Sequence, residues 1–299
     1  MQLVPVAPPV AVPGTGGFDY VTVDAARRRV YAAHTGSRAL LIVDAETGEV
    51  KGQVPVGPMH GVAVDPISGV VFTGNGSDDT VSEVDPETQK VVTSVQLPGP
   101  IDAIAYDSAL KRIYADEADG TRIFVIDART MRHVGTVSLP GHKPEFLAID
   151  PENHDVYQNI DDLSEIAMID PQSLKVPDVI TTPGIAHNHP LQYDVAYHEI
   201  ITGGGGLLAA YARSGKQLGL AAIPQVDQCD LDQQTHYIAC AGGGYITVLQ
   251  TRPAQGPSLL SELAVPLGVH TLAIDPKTSD IWAVWGSPEG AFVQRFTLR

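Results

Sequence analysis

Short runs of alternating apolar and polar residues, broken by turn residues at close intervals, extend along the whole chain. In Val62-Ala-Val-Asp-Pro-Ile-Ser-Gly-Val-Val-Phe-Thr-Gly-Asn75, an alternating strand meets a turn at 65–69 and then a β-branched second strand. Residues 80–85 predict a third strand, 86–89 a turn and 90–97 a fourth. Units of this kind begin near Asp19, His60, Asp102, Glu145, His189, Asp227 and His270, with successive starts 41, 42, 43, 44, 38 and 43 residues apart. About 40 residues and four strands per repeat predict an all-β fold, a seven-bladed β-propeller with blades standing around a central channel. The fifth unit departs most, reading Tyr193-Asp-Val-Ala-Tyr-His198 where the others carry an Asp-Pro turn or a close variant.

Residues 1–299 read as a single propeller domain, because such folds grow by adding blades. The final repeat has room for only three strands after His270. The first dozen residues share the apolar, Pro-Gly character of segments that close other repeats, such as Gln53-Val-Pro-Val-Gly-Pro58. Residues 1–12 are therefore expected to form the outer strand of the last blade, closing the ring. They lack the basic start and continuous apolar core of a signal peptide.

Composition narrows the function. Lys and Arg number 19 against 35 Asp and Glu, a net charge of −16 that repels phosphate backbones and excludes nucleic acid as an expected partner. No apolar run approaches the ~18 residues of a membrane helix, so no membrane partner is expected either. Phosphate-cradling loops, serine nucleophile elbows and paired Cys-x-x-Cys sites are absent from the sequence.

Candidate chemistry sits in one column, five residues before a recurring aspartate (Asp24, Asp65, Asp107, Asp150, Asp194, Asp232, Asp275). The column reads Asp19, His60, Asp102, Glu145, His189, Asp227, His270, every one able to bind a metal or move a proton. The next column reads Tyr20, Gly61, Ala103, Phe146, Pro190, Gln228, Thr271 and carries no such pattern. Turn preference explains aspartates there, but not three histidines. His60, His189 and His270 fall on blades two, five and seven, the most even spread of three around seven. This predicts a three-histidine divalent metal site on the axis, with zinc the first expectation and iron, manganese, copper or nickel the others. Asp19, Asp102, Glu145 and Asp227 are then candidates for catalytic roles, Glu145 first as general base.

Further candidates lie around this column. His34, Asn75 and Glu117, at the ends of second strands, are expected near the channel mouth, and His142 and His187 in the loops before Glu145 and His189. His34, His142, His187 and Glu145 are the possible extra ligands. His133, His154, His198 and His236 read as ordinary strand or turn histidines. Gly203-Gly-Gly-Gly206 and Gly242-Gly-Gly244 lie on the rim of blades five and six, where missing side chains are expected to leave a groove. Trp282, Trp285, Tyr31, Tyr114 and Tyr157 read as packing between blades. Cys229 and Cys240 flank the blade-six turn and face each other across a hairpin, as a disulfide or as free thiols.

The repeats resemble the bacterial YVTN-type propeller family and its seven-bladed, lactonase-like relatives. The matches are Val30-Tyr-Ala-Ala-His34, Val71-Phe-Thr-Gly-Asn75, Ile113-Tyr-Ala-Asp-Glu117 and the Asp-x-x-Thr pieces at Asp44, Asp85 and Asp127. His34 and Glu117 depart from the consensus asparagine. The resemblance implies the propeller fold and an exported protein, periplasmic or secreted, its mature form without a signal peptide. It does not imply one activity, since members include binding proteins and enzymes. Propeller enzymes that hold iron or zinc through channel histidines are an analogy for the column. Three functions follow: a metal-dependent hydrolase or lyase, with redox chemistry as a variant, acting on a small polar substrate; a metal-binding or carrier protein; and a ligand- or partner-binding propeller.

Overall fold

The computed structural model describes residues 1–299. Seven antiparallel sheets stand in a ring, six of them built from four consecutive strands and the last from the three C-terminal strands joined by N-terminal ones, and there is no α-helix. The second unit has strands Val62–Val64, Val71–Asn75, Thr80–Asp85 and Lys90–Gln96, as its hydrophobic pattern predicts. Burial follows position in the blade. Val71–Asn75 is buried at every residue, whereas Lys90–Gln96 at the outer edge is exposed at all but one. Face-to-face packing of neighbouring blades buries Tyr31, Tyr114, Tyr157, Trp282 and Trp285.

In the last blade, Leu3–Pro5 and Val10–Val12 both pair with Gly290–Leu298, Leu3 opposite Leu298 and Val10 opposite Val293. Two short N-terminal pieces thus share one outer-strand position, covering an edge that would otherwise be open to pairing with other chains. Cys229 and Cys240 stand opposite each other in register and form a disulfide.

The aspartates that mark the repeat do more than turn the chain. All seven are buried. Asp65, Asp107, Asp150, Asp232 and Asp275 each accept the N–H two residues on, capping the inner hairpin. The residue four beyond each aspartate has positive φ: Arg28, Gly69, Lys111, His154, His198, His236 and Ser279. From that left-handed position the side chain reaches back to the previous blade. Arg28 donates to both oxygens of Asp275, at 2.9 and 2.6 Å. His154 Nδ1 lies 2.9 Å from Asp107, His236 Nδ1 2.8 Å from Asp194, and Ser279 Oγ 2.5 Å from Asp232. Lys111 Nζ is 3.6 Å from Asp65. Asp150 receives the Tyr193 hydroxyl instead, 2.8 Å away, and that oxygen lies 3.4 Å from His198 Nδ1. Where Gly69 occupies the position, the Arg27 guanidinium fills the space a side chain would take and donates to Pro66 and Ile67 carbonyls. Thus His154 and His236, ordinary histidines in the sequence, are clasps between blades.

Candidate active site on the propeller axis

Four of the seven column residues arrive on the axis through a shared backbone register. The N–H groups of Asp19, His60, His189 and Asp227 donate to the carbonyls of Ala33, Gly74, Gly203 and Ala241, each fourteen residues on and 2.8–3.0 Å away. Asp102 and Glu145 lie instead where inner strands slip register, between Ile101 and Ile104 and between Glu145 and Leu147. Such bulges re-aim side chains. Both routes end in one cavity of about 360 Å³ lined by all seven residues, with Tyr20, Ala118 and Asp119 completing the wall.

Within this cup each imidazole stands between two carboxylates in blade order, and Asp102 and Glu145 are neighbours. His60 Nδ1 is 2.6 Å from Asp19 and 3.6 Å from Asp102. His189 Nε2 is 3.1 Å from Glu145 and 3.2 Å from Asp227, and His270 Nδ1 is 2.6 Å from Asp227. Asp19 also accepts the Gln228 amide at 3.1 Å, and Gln228 in turn accepts Thr271 at 2.5 Å. The side chains that bring three donor atoms within 4.8 Å of one another are Asp19, His60 and Asp102, one imidazole and two carboxylates, rather than the three imidazoles. Each histidine has turned toward its acidic neighbours, because an ion pair inside the channel outweighs a meeting of three cationic or polar rings.

The charges respond accordingly. His60 and His270 are raised above the ordinary histidine value chiefly by their hydrogen bonds to Asp19 and Asp227. For His189, burial opposes protonation, but the Glu145 hydrogen bond and the charges of Glu145, Asp227 and Asp102 lift it to about 10. Burial and the charges of Asp19 and Glu145 push Asp102 up to about 7. Asp102 is reachable by water yet ringed by protein, which is why its charge is costly.

Three polar residues outside the column belong to the site. Asp116 is fully buried beneath Asp102, accepting the Ala103 N–H at 2.7 Å and the Gln158 amide at 3.1 Å. Burial and the Asp102 and Glu145 charges raise it well above the usual carboxylate value. Asn159 donates to the carbonyls of His189 and Pro190, both at 2.9 Å, and so fixes the backbone that carries His189. Gln228 positions Asp19. A signal for the first two existed: fourteen residues after the column the sequence reads Ala33, Gly74, Asp116, Asn159, Gly203, Ala241, Val284, and only these two are polar.

The outlying candidates do not join them. His34 is buried, stacked on Phe18 at 4.1 Å, and both its ring nitrogens are engaged, by Ser37 at 3.2 Å and Gln53 at 3.0 Å. Burial lowers its pKa. Asn75 is buried and bonded to Thr80 and Ser82, and Glu117 pairs with Arg122. His142 is exposed, and His187 lies at the surface on Asp161. None of the five lines the cup. His34, Asn75 and Glu117 end the second strands of their blades, where partners within the same blade claim their side chains, and His142 and His187 lie in loops. Nor do the glycine runs leave a groove. A Cβ on Gly204 would meet the Ala186 and His187 carbonyls at 2.4 Å, and one on Gly242 the Gln225 carbonyl at 2.2 Å. These glycines let neighbouring loops press close.

Fold and site together define a seven-bladed propeller with an acidic, histidine-bearing cup on its axis. No protein-family model matches the chain. It is similar to the uncharacterized protein YncE of Salmonella typhi, 25% identical over 178 residues, 54% of this chain and 50% of that protein. It is also similar to YncE of Escherichia coli O157:H7, 32% identical over 117 residues, 35% of this chain and 33% of that protein. The matches thus span half or less of the length of these curated relatives. Among solved structures, a chain of Kuenenia stuttgartiensis hydrazine synthase superposes with a TM-score of 0.82 at 15% identity, covering 95% of this chain and 96% of that one. A chain of the mitotic checkpoint complex gives 0.84 at 14% identity, covering 99% and 92%. At such identities the likeness concerns the fold alone.

Proposed function

We propose that the axial cup binds a divalent metal ion and uses it for hydrolase- or lyase-type chemistry on a small polar substrate. The observation that carries this reading is the convergence of Asp19, His60 and Asp102 donor atoms within 4.8 Å at the wall of an open cavity. Two carboxylates and an imidazole form a donor set that zinc, iron and manganese all accept. A bound ion there would polarise a substrate oxygen or make bound water acidic. The chain's own groups supply the rest. Glu145, held by His189 and next in the ring to Asp102, is a proton acceptor, and His189, kept protonated by its carboxylate neighbours, is a donor. Asp227 holds His270 and faces His189, fixing both rings.

A second reading has its own support. All three imidazoles already have a carboxylate within 3.1 Å, so the ring neutralises itself and serves as a polar funnel for a ligand without metal. Elemental analysis of protein purified without chelator separates the two. About one ion per chain is expected, falling at least tenfold in His60→Ala with the fold retained. Absence of metal, persisting after equilibration with zinc, manganese and ferrous ions, would refute the metal reading. The match of Val71–Asn75 and its sister strands to the consensus supports a YVTN-type assignment of the repeats. The Cys229–Cys240 disulfide supports an exported chain, periplasmic or secreted.

A further inference from the structure

A separate cavity of about 330 Å³ lies at the opposite end of the inner strands from the cup. The column residues stand where those strands begin, whereas this cavity is built from their far ends and the turns that follow. Tyr106 and Ser108 come from blade three, Ile149 and Pro151 from blade four, Tyr193 and Val195 from blade five. Five residues of extended chain, roughly 15 Å, separate Asp102 from Asp107, so the two sites open on opposite faces of the ring. The floor is apolar and closed, with Leu147, Leu191 and Tyr193 at most 5% exposed, and the rim is open, with Ala109, Pro151 and Gln233 exposed. Most polar groups on the wall already have partners. Asp107 accepts the Ala109 and Leu110 N–H groups and pairs with His154 at 2.9 Å. Gln233 accepts the Val195 N–H at 3.0 Å and donates to the Tyr193 carbonyl at 2.8 Å, and the Tyr193 hydroxyl donates to Asp150. Gln192 differs. Its Nε2 donates to the Cys229 carbonyl at 2.7 Å, which leaves Oε1 without a donor from the chain on a half-buried side chain that lines the cavity.

We propose that this cavity binds a neutral, flat molecule of about two fused rings carrying one N–H or O–H group, its rings on Leu147, Leu191 and Tyr193 and its donor on Gln192 Oε1. Size follows from the volume, since about 150 Å³ admits benzene and this cavity is about twice as large. Neutrality follows from the wall. No lysine or arginine lines it, and its one carboxylate and one imidazole are paired with each other, so a charged ligand would leave water without meeting a counter-charge. An apolar floor with one free acceptor is the usual design of a small-molecule site, in which a few polar groups fix orientation. The site is separate from the cup and does not depend on what the cup holds.

Ligand-observed NMR titration of the full chain with indole, 1-methylindole and the cation tryptamine tests the proposal. Indole is expected to bind at least tenfold more tightly than tryptamine, although the chain's net charge of −16 favours the cation. Gln192→Met keeps the side chain's length and removes the acceptor, so it should weaken indole about fivefold, the worth of one hydrogen bond, and leave 1-methylindole within about twofold. Val195→Phe, which fills the cavity from the blade-five turn, should weaken both at least tenfold. If that variant fails to fold, Ala109→Trp on the exposed rim replaces it. Indole that does not bind, that binds no better than tryptamine, or that binds the filled variant as well as wild type would overturn the proposal. So would a Gln192→Met variant that weakens indole and 1-methylindole equally.

Discussion

Arg28→Met tests whether the recurring aspartates hold the ring together. The pair it breaks joins the first blade to the last, through two hydrogen bonds from Arg28 to Asp275, whose side chains are 12% and 1% exposed. Removing one partner of a buried ion pair costs about 3–5 kcal/mol, because the remaining charge stays buried without compensation. Here the cost is smaller, since Asp275 keeps the Lys277 N–H at 3.0 Å and the Thr278 hydroxyl at 3.0 Å. A loss of roughly 2–3 kcal/mol is expected, which lowers Tm by about 5 °C in a chain of this size. The sign of the pH dependence is fixed. Burial opposes ionisation of Asp275, but Arg28 and the turn donors outweigh it and hold the carboxyl below its ordinary value. Its contribution is therefore complete above the unfolded pKa near 3.9 and is lost as pH falls further. Urea unfolding of wild type and Arg28→Met at pH 7 and pH 3 should show a gap that narrows in acid. A gap below about 0.5 kcal/mol at pH 7, or one that persists undiminished at pH 3, would refute the clasp as a source of stability.

Two other perturbations concern the sixth blade. Replacing Cys229 and Cys240 together by Ala, or reducing the wild type, opens a loop of sequence separation 11 and should cost about 2–3 kcal/mol in thermal unfolding; an unchanged Tm would argue against the bridge in solution. Asp230 lies on the inner strand Gln228–Leu231, and burial raises its carboxyl to about 6 despite the N–H groups of Ile274 and Leu231 that it accepts. Its stabilising share is present below the unfolded value near 3.9 and is lost as pH rises through about 6, so Asp230→Asn should flatten the stability profile between pH 4 and 7 by about 1–2 kcal/mol, and an unaltered profile would sink that assignment.

The amino-acid pattern by itself determined the architecture. Alternation with period two, Asp-Pro turns and a repeat of about 40 residues leave each unit with faces it cannot bury alone, and a closed ring of seven buries them all. It also determined which seven side chains line the axial cavity, because backbone register copies a sequence column into a spatial ring: fourteen-residue hydrogen bonds hold Asp19, His60, His189 and Asp227 in one register, and bulges bring Asp102 and Glu145 to the same cavity. Tertiary structure decided what those side chains do to one another. Residues from different blades have no sequence relation, so the pairing of His189 with Glu145 and Asp227, and the grouping of Asp19 and Asp102 around His60, depend on electrostatics across the channel rather than on spacing. The same holds for His34, whose strand position resembles that of Asn75 but whose ring was claimed by Phe18, Ser37 and Gln53. Local chemistry is periodic and can be read along a chain; partnership between blades is set by side-chain reach, burial and charge, which exist only once the ring has closed.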